Sequence, residues 1–278
     1  MRNQFQSLLL LMYLFFSPLV FAKHTDLLQL KLFKSYLQVS FQGRGREDFN
    51  VVSASVKNNI SWQQRFRKNK YIRAYERSKN YLKQSFHSDS PRFVFLMPYL
   101  ESGWKANKGR PSSDYCYWQM IYEVVEEIRY LNESSAALRQ ANPNEIRTNP
   151  KLSTEAALIH LRRYYFYFRH KESFSESDAW LFAMTAFNWG SGNVKALLAE
   201  MRGRHGLHSS EINYSNFYHQ LYKEVEKAPR DRSMRVALEY IPNLWNIALL
   251  IKPDFKGLGE HDAKKLDEHF LEFLIKGK

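Results

Sequence analysis

The stretch MPYLESGWKANKGRPSSDYCYWQM, residues 97–120, decides how this sequence is interpreted. The apolar run FVFLM at residues 93–97 leads into it and ends close to the carboxylic acid Glu101. Burial favours the neutral form of a carboxyl group and raises its pKa, which makes such a group a proton donor near neutral pH. The competing interpretation is a partly exposed glutamate at an ordinary helix end. The rest of the chain has to decide between the two.

Composition indicates a folded and strongly basic protein. The chain has 278 residues, of which 44% are hydrophobic and 15% aromatic, and this is enough for a substantial core. The formal net charge of +13 indicates attraction to a polyanion, such as nucleic acid, an anionic membrane surface or an acidic cell-wall glycan. Cys116 is the only cysteine, so an intramolecular disulfide is excluded and we expect a buried thiol.

The first 22 residues predict a secretory signal peptide. Arg2 precedes the apolar run LLLLMYLFFSPLVF at residues 8–21, and small Ala22 follows at the usual cleavage spacing. An uncleaved membrane anchor is the alternative, but the run is short for a span and contains Pro18. We therefore expect an exported protein of the periplasm or cell envelope. Nucleic acid is not an expected partner in that compartment.

The remaining pattern predicts a mainly α protein. Apolar residues at helical spacing mark five segments: 61–86, 121–131, a segment capped by Ser153, a buried central one capped by Asp178, and 235–252 around Pro242. Glycine and proline predict loops at 43–46, 105–113 and 142–150. No strand pattern or repeat is present in the sequence.

Five landmarks follow one another along this helical chain. They are Pro98–Trp104 (PYLESGW), Trp118–Met120 (WQM), Arg147 with Ser153–Ala157 (STEAA), Ala186–Val194 (AFNWGSGNV), and Tyr240–Pro242 (YIP). This pattern resembles the lytic transglycosylases with a goose-lysozyme-like catalytic domain, and most closely their membrane-bound murein transglycosylase D group. The likeness covers about residues 50–253. The eighteen positions from Glu101 to Gln119 also match the spacing of that family.

The resemblance implies a lysozyme-like helical fold with helical extensions at both ends. We divide the chain into a signal peptide (1–22), an N-terminal helical extension (23–90), a catalytic domain (91–253) and a charged helical tail (254–278). The implied substrate is the glycan strand of peptidoglycan. No metal and no cofactor are implied.

The resemblance also implies that Glu101 is the single acid and base. Ordinary glycosidases use two carboxyl groups, whereas this family uses one. That group protonates the oxygen between N-acetylmuramic acid and N-acetylglucosamine, and then deprotonates the muramyl 6-hydroxyl, which closes a 1,6-anhydro ring without water. The substrate-binding residues implied by the resemblance are Ser102, Trp118, Gln119, Phe187, Asn188 and Tyr240.

Structural roles compete with binding at several of these positions. The hydroxyl of Ser102 can serve the backbone at a helix end. Trp118, like Trp104 and Trp189, belongs either to the core or to a sugar-stacking surface. Arg147 is either a structural ion-pair partner or a contact for the carboxylates of the polymer.

The sequence departs from the family pattern at three places. Arg110 stands where a serine is usual, residues 113–116 (SDYC) replace Gly-Ala-x-Gly, and Phe187 replaces a tyrosine. Glycines permit tight turns and close approach of the backbone to a sugar, so the departures put rate and substrate choice in question. Two rival functions remain open: a catalytically weak wall-binding or scaffold protein, and a hydrolysing muramidase that uses Asp114 as second carboxylate. The basic surface also suits an anionic wall or membrane.

Overall fold

The computed structural model describes residues 30–84, 90–204 and 211–251. These residues belong to one compact unit, Leu28–Ile251. The signal peptide predicted at 1–22 and the tail predicted at 254–278 lie outside the described residues, and both stay predictions. Among the helices that are described, none has the length and apolar character needed to cross a membrane.

The described residues form twelve α-helices. They are α1 (30–40), α2 (Gly43–Phe66), α3 (Lys70–Gln84), α4 (Met97–Glu101), α5 (Tyr122–Arg129), α6 (Ala136–Gln140), α7 (Pro143–Thr148), α8 (Pro150–Phe166), α9 (Glu176–Trp189), α10 (Ser191–Arg204), α11 (Tyr214–Lys227) and α12 (Arg232–Ile251). A 3₁₀ turn, Arg92–Leu96, leads into α4, and a π turn, Tyr167–Lys171, extends α8. Within the described ranges, β-pairing is limited to isolated bridges of Tyr115 with Gly109 and Met120. The mainly α prediction is confirmed.

Helix α9 occupies the centre of the fold, as its continuous apolar sequence predicts. Every residue from Ser177 to Ala186 is buried, and α9 packs against α8, α10 and α12. Its cap is Ser175, whose hydroxyl accepts a hydrogen bond from the backbone N–H of Asp178, so the cap predicted at Asp178 is wrong. Acidic residues are also favoured in the first helical turn, which makes the two positions hard to distinguish in a sequence.

The predicted loop at 43–46 is instead the first turn of α2. This helix packs along α11 and α12. A Cβ atom on Gly45 would lie 2.3 Å from the backbone oxygen of Ser215 on α11, so glycine permits the close approach. The helix predicted over 61–86 is also two helices, because Lys68 and Asn69 take left-handed φ angles of 48° and 62°.

The two Asn-Pro pairs begin helices, which corrects the loop predicted at 142–150. Asn142 caps α7 by accepting a hydrogen bond from the N–H of Glu145. Asn149 caps α8 in the same way, and Ser153, the predicted cap, lies inside that helix. Proline suits the first helical turn, since the N–H it lacks has no partner there.

The other predicted helices are confirmed with shifted ends. Helix α5 buries Val125 and Ile128 as expected, but Ile121 lies before it and is 39% exposed. Helix α12 runs through Pro242 without a break. The segment 105–113 is a loop, as predicted.

Candidate active site

Glu101 is the last residue of the short helix α4. The apolar run before it is buried, and its first part is a 3₁₀ turn rather than an α-helix. Helix α4 ends there because Gly103 and Trp104 adopt left-handed φ angles of 67° and 55°. This geometry places a carboxyl group at the end of a buried segment, where the chain reverses.

Two contacts from α3 hold this turn in place. The hydroxyls of Tyr99 and Ser78 are 2.7 Å apart in the core. Arg77 donates a hydrogen bond of 2.6 Å to the backbone oxygen of Gly103. The position of Glu101 is therefore set by α3 as well as by its own helix.

Two further helices bring hydrogen bonds to the carboxyl group. The hydroxyl of Tyr240 on α12 donates to Oε1 of Glu101 at 2.7 Å. The side chain of Asn188 at the end of α9 also hydrogen-bonds to this carboxyl group. The fold thus gathers three of the predicted site residues, and 139 positions separate Glu101 from Tyr240 in the chain.

The pKa of Glu101 is raised from 4.5 to about 7. Burial is the largest cause, and the negative charge of Asp114 adds to it. The hydrogen bonds from Tyr240 and Asn188 and the charge of Lys70 act in the opposite direction. Glu101 is only half-buried by surface, so a substrate can still reach it. A group with these properties can donate and accept a proton near neutral pH.

Tyr240 stays protonated beside this acid. It is buried, and burial together with the charge of Glu101 raises its pKa well above the usual value. Its hydroxyl therefore remains a hydrogen-bond donor through the working range of the carboxyl group. A phenolic hydroxyl is thus present at the acid although Phe187 lacks one.

Trp118 lies in the core, which is one of the two positions that the sequence left open for it. Its side chain is fully buried, and its indole N–H donates to the hydroxyl of Thr154 at 3.1 Å. Its ring meets Phe95 and Phe187 edge-on. It offers no surface for sugar stacking, and its ring supports the ring of Phe187.

Ser102 is also buried, and its hydrogen bonds are structural. Its hydroxyl donates to the backbone oxygens of Pro98 and Tyr117 at 3.2 and 2.7 Å. It accepts a hydrogen bond of 3.2 Å from the N–H of Lys105. The hydroxyl therefore connects the turn after Glu101 to the following loop, which is the structural role that the sequence left open, and a contact with substrate stays a prediction.

Gln119 and Phe187 are half-buried and remain candidates for binding. The amide nitrogen of Gln119 donates to the backbone oxygens of Lys108 and Cys116 at 3.0 and 2.6 Å. Phe187 packs against His160, whose pKa burial lowers to about 4, so that the imidazole is neutral. Both side chains are held in fixed positions, and their contacts with substrate stay predictions.

The loop without the family's glycines folds around a different glycine. Gly109 has φ +88°, and a Cβ there would lie 1.9 Å from the backbone oxygen of Asp114. Cys116 takes a left-handed φ of 62° that glycine would adopt more easily. Its side chain is buried, as predicted from the sequence.

Arg147 holds this loop in place through buried hydrogen bonds. The guanidinium is buried, with 1% of the residue exposed, and it donates to the backbone oxygens of Pro111 and Ser113 at 2.7 and 3.0 Å. It also donates to the side chain of Asn144. Arg147 forms no ion pair among the described residues, and its hydrogen-bond partners are loop carbonyls and an amide. A contact with the carboxylates of the polymer stays a prediction. This clamp keeps the altered loop ordered beside the acid.

Lys70 is a site residue that the sequence did not reveal. Its charge acts on Glu101, and the backbone beside Gly103 lies against its side chain. In the sequence it belongs to a very basic helical segment, where a lysine is ordinarily on a solvated face. The proximity of Lys70 to Glu101 depends on the packing of α3 on α4, for which no local signal exists.

Comparison with known proteins identifies part of the chain. Searches of curated proteins and of solved structures gave no match. Residues 80–207, which include Glu101 and Asn188 but not Tyr240, match the family model of the transglycosylase SLT domain. That domain has a lysozyme-like helical fold, which confirms the predicted fold class. The match over residues 80–207 thus supports the assignment of a lytic transglycosylase of the peptidoglycan-cleaving kind.

Proposed function

We propose that this protein is an exported lytic transglycosylase that cleaves the β-1,4 bond between N-acetylmuramic acid and N-acetylglucosamine and leaves a 1,6-anhydro end. The observation that carries the proposal is the state of Glu101, a half-buried carboxyl group with a pKa of about 7 and two hydrogen-bond partners. The match of residues 80–207 gives the substrate class. Export rests on the signal sequence at residues 1–22.

In the first step the neutral form of Glu101 gives its proton to the glycosidic oxygen. The bond between that oxygen and C1 of the muramyl residue breaks, and positive charge develops at C1. A pKa near 7 keeps a useful fraction of the carboxyl group protonated at neutral pH. The same burial that raises the pKa favours the protonated form before the reaction.

In the second step the carboxylate takes the proton of the muramyl 6-hydroxyl. The oxygen of that hydroxyl bonds to C1, the anhydro ring closes, and the proton of the hydroxyl leaves Glu101 protonated again. No water is consumed. Tyr240 and Asn188 donate to the carboxyl group, so they stabilise it in the interval in which it is charged.

Two other functions make different predictions. A muramidase that uses Asp114 would add water at C1 and produce reducing ends. The charge of Asp114 acts on Glu101, so this alternative has a specific basis. A wall-binding scaffold would release nothing, and the reason to consider it is the loop held by Arg147, which lacks the glycines usual in the family.

The test is the release of products from purified peptidoglycan sacculi. We expect wild-type protein to release anhydromuropeptides, identified by mass spectrometry, and Glu101→Gln to bind sacculi but release none. Glu123→Gln, on the exposed side of α5, is the matched control and should retain activity. Reducing ends from the wild type would favour the muramidase. Undiminished cleavage by Glu101→Gln would contradict the assigned mechanism.

A further inference from the structure

Four cations lie together beside the candidate acid. They come from the α2–α3 turn, the first residue of α3 and the loop after α4, and we call them the basic rim: Arg67, Lys70, Lys105 and Lys108. The other three charges all act on Lys70, and Lys70 in turn acts on Glu101. The rim therefore borders the position at which the glycan would be cleaved.

Lys70 is held in a defined position within the rim. Its ammonium group donates to Oε1 of Gln63 at 3.3 Å and lies 4.7 Å from the centre of the Tyr71 ring. A Cβ atom on Gly103 would lie 3.2 Å from its Cε, so glycine at this position leaves room for the lysine against the turn after Glu101. Lys70 is half-buried as a result.

The backbone also fixes the segment that carries Lys105 and Lys108. The N–H of Lys105 donates to the hydroxyl of Ser102. The backbone oxygen of Lys108 accepts hydrogen bonds from Cys116 and from the side chain of Gln119, at 2.7 and 3.0 Å. Both lysine side chains are exposed. Their ammonium groups can therefore reach a ligand without a rearrangement of the loop.

The rim has no matching carboxylates within the described part of the chain. None of its four members forms an ion pair with an acidic residue of that part. Burial and the three neighbouring cations lower the pKa of Lys70 to about 8, and Glu101 acts in the opposite direction. Besides Glu101 itself, this region contains the carboxyl group of Asp114, whose charge acts on Glu101. Like charges held this close favour the arrival of an external anion.

We propose that the basic rim binds carboxylate groups carried by the glycan strand next to the bond that Glu101 cleaves. The inference rests on the proposed function, since peptidoglycan is the polymer whose carboxylates would arrive there. These groups belong either to the lactyl substituent of the muramyl sugar or to its peptide stem. Either source presents the same chemistry to a lysine, and uncharged glycans of similar backbone lack it.

Binding is the test, measured in the Glu101→Gln background so that cleavage does not interfere. Lys105→Gln and Lys108→Gln are combined, because both side chains are exposed and the fold does not need them. The control combines Lys57→Gln and Lys171→Gln, two exposed lysines outside the rim, and removes the same net charge. The probes are peptide-bearing glycan strands, in which the lactyl carboxyl group is bound in an amide to the stem, amidase-treated strands, in which that carboxylate is free, and uncharged chitooligosaccharides.

We expect the rim variant to bind carboxylate-bearing strands about fivefold more weakly than the control variant, with a smaller salt dependence. Its affinity for chitooligosaccharides should not change. A loss on amidase-treated strands alone assigns the rim to lactyl carboxylates, and a loss on peptide-bearing strands alone assigns it to stem peptides. A loss on both kinds of strand means that the rim binds the carboxylate of either source. An equal loss on chitooligosaccharides, or no loss on either strand, would overturn the proposal.

The result is separable from the proposed function. Products from sacculi treated with protein that keeps Glu101 report on the function, and the binding series reports on the rim. If anhydro products form and the rim variant binds as the control does, the proposal about the rim is refuted and the proposed function stands. If the rim variant loses binding selectively but no anhydro products form, the proposed chemistry is refuted. The rim is then supported as a carboxylate-binding surface.

Discussion

Replacement of Glu101 by glutamine should stabilise the fold at alkaline pH and leave it unchanged at acid pH. The reason is that the folded protein raises the pKa of this carboxyl group from 4.5 to about 7. Between these values the folded state keeps a proton that the unfolded chain has lost. The free energy of unfolding of the wild type therefore decreases as the pH rises through this window. Glutamine has no proton to lose and avoids the decrease.

The expected size follows from the shift itself. A difference of one pKa unit corresponds to about 1.4 kcal/mol. The shift of Glu101 then corresponds to about 3 kcal/mol, present in full above pH 7 and absent below pH 4.5. The amide oxygen of glutamine can still accept the hydrogen bond of Tyr240, so the substitution removes the charge and keeps this contact.

Urea unfolding of the two proteins at several pH values between about 4 and 8.5 measures the effect. The Glu101→Gln protein should gain stability over the wild type progressively through this range. Glu123→Gln on α5 provides the control for the removal of one exposed carboxylate. A stability difference that does not change with pH would refute the argument that Glu101 is held as a raised-pKa acid.

Three further predictions concern the contacts around the acid and the helix packing. Tyr240→Phe removes a donor to the charged form of Glu101, so the alkaline limb of the pH–rate profile should move up by about one unit. Asp114→Asn should lower the pKa of Glu101 by less than about one unit and leave product formation intact, as release assays would show. Gly45→Ala should reduce the free energy of unfolding by about 1–3 kcal/mol, because its Cβ would clash with α11, whereas Gly203→Ala, where the Cβ meets open space, should not destabilise.

Each of these predictions has a contradicting result. An unchanged or lowered alkaline limb in Tyr240→Phe would mean that the hydroxyl does not favour the carboxylate. Loss of all cleavage in Asp114→Asn would favour the two-carboxylate muramidase. Equal stability changes in the two glycine variants would mean that α2 and α11 do not meet as closely as described.

The helical class could be predicted because its signals are local. The apolar sequence of α9 fits only a buried helix, and α12 keeps its pattern across Pro242. Helix starts were less predictable, because Asn142-Pro143 suits both a turn and a capped helix. Which of the two forms depends on packing farther along the chain.

Gly45 of α2 shows a second limit of prediction from local sequence. Gly45 favours a loop by propensity, yet it lies in a helix, where the close approach of α11 leaves no room for a larger side chain. The contact partner, Ser215, is 170 positions away in the chain. Nothing near Gly45 in the sequence indicates that contact.

The site was predictable where the resemblance named residues and less so elsewhere. Glu101, Asn188 and Tyr240 meet as expected from the family pattern. Trp118 carries the same pattern but is buried, because a motif does not distinguish a residue that forms the wall from one that touches the ligand. Lys70 has no motif, since its role arises from charge and proximity in the folded state.

The measurement that tests the central claim most directly is cleavage of sacculi in water enriched in ¹⁸O. If Glu101 acts alone and the muramyl 6-hydroxyl closes the ring, the released muropeptides should be lighter than hydrolysis products by one water and should carry no ¹⁸O. Reducing muropeptides with ¹⁸O at C1 would show that water attacks and would contradict the account.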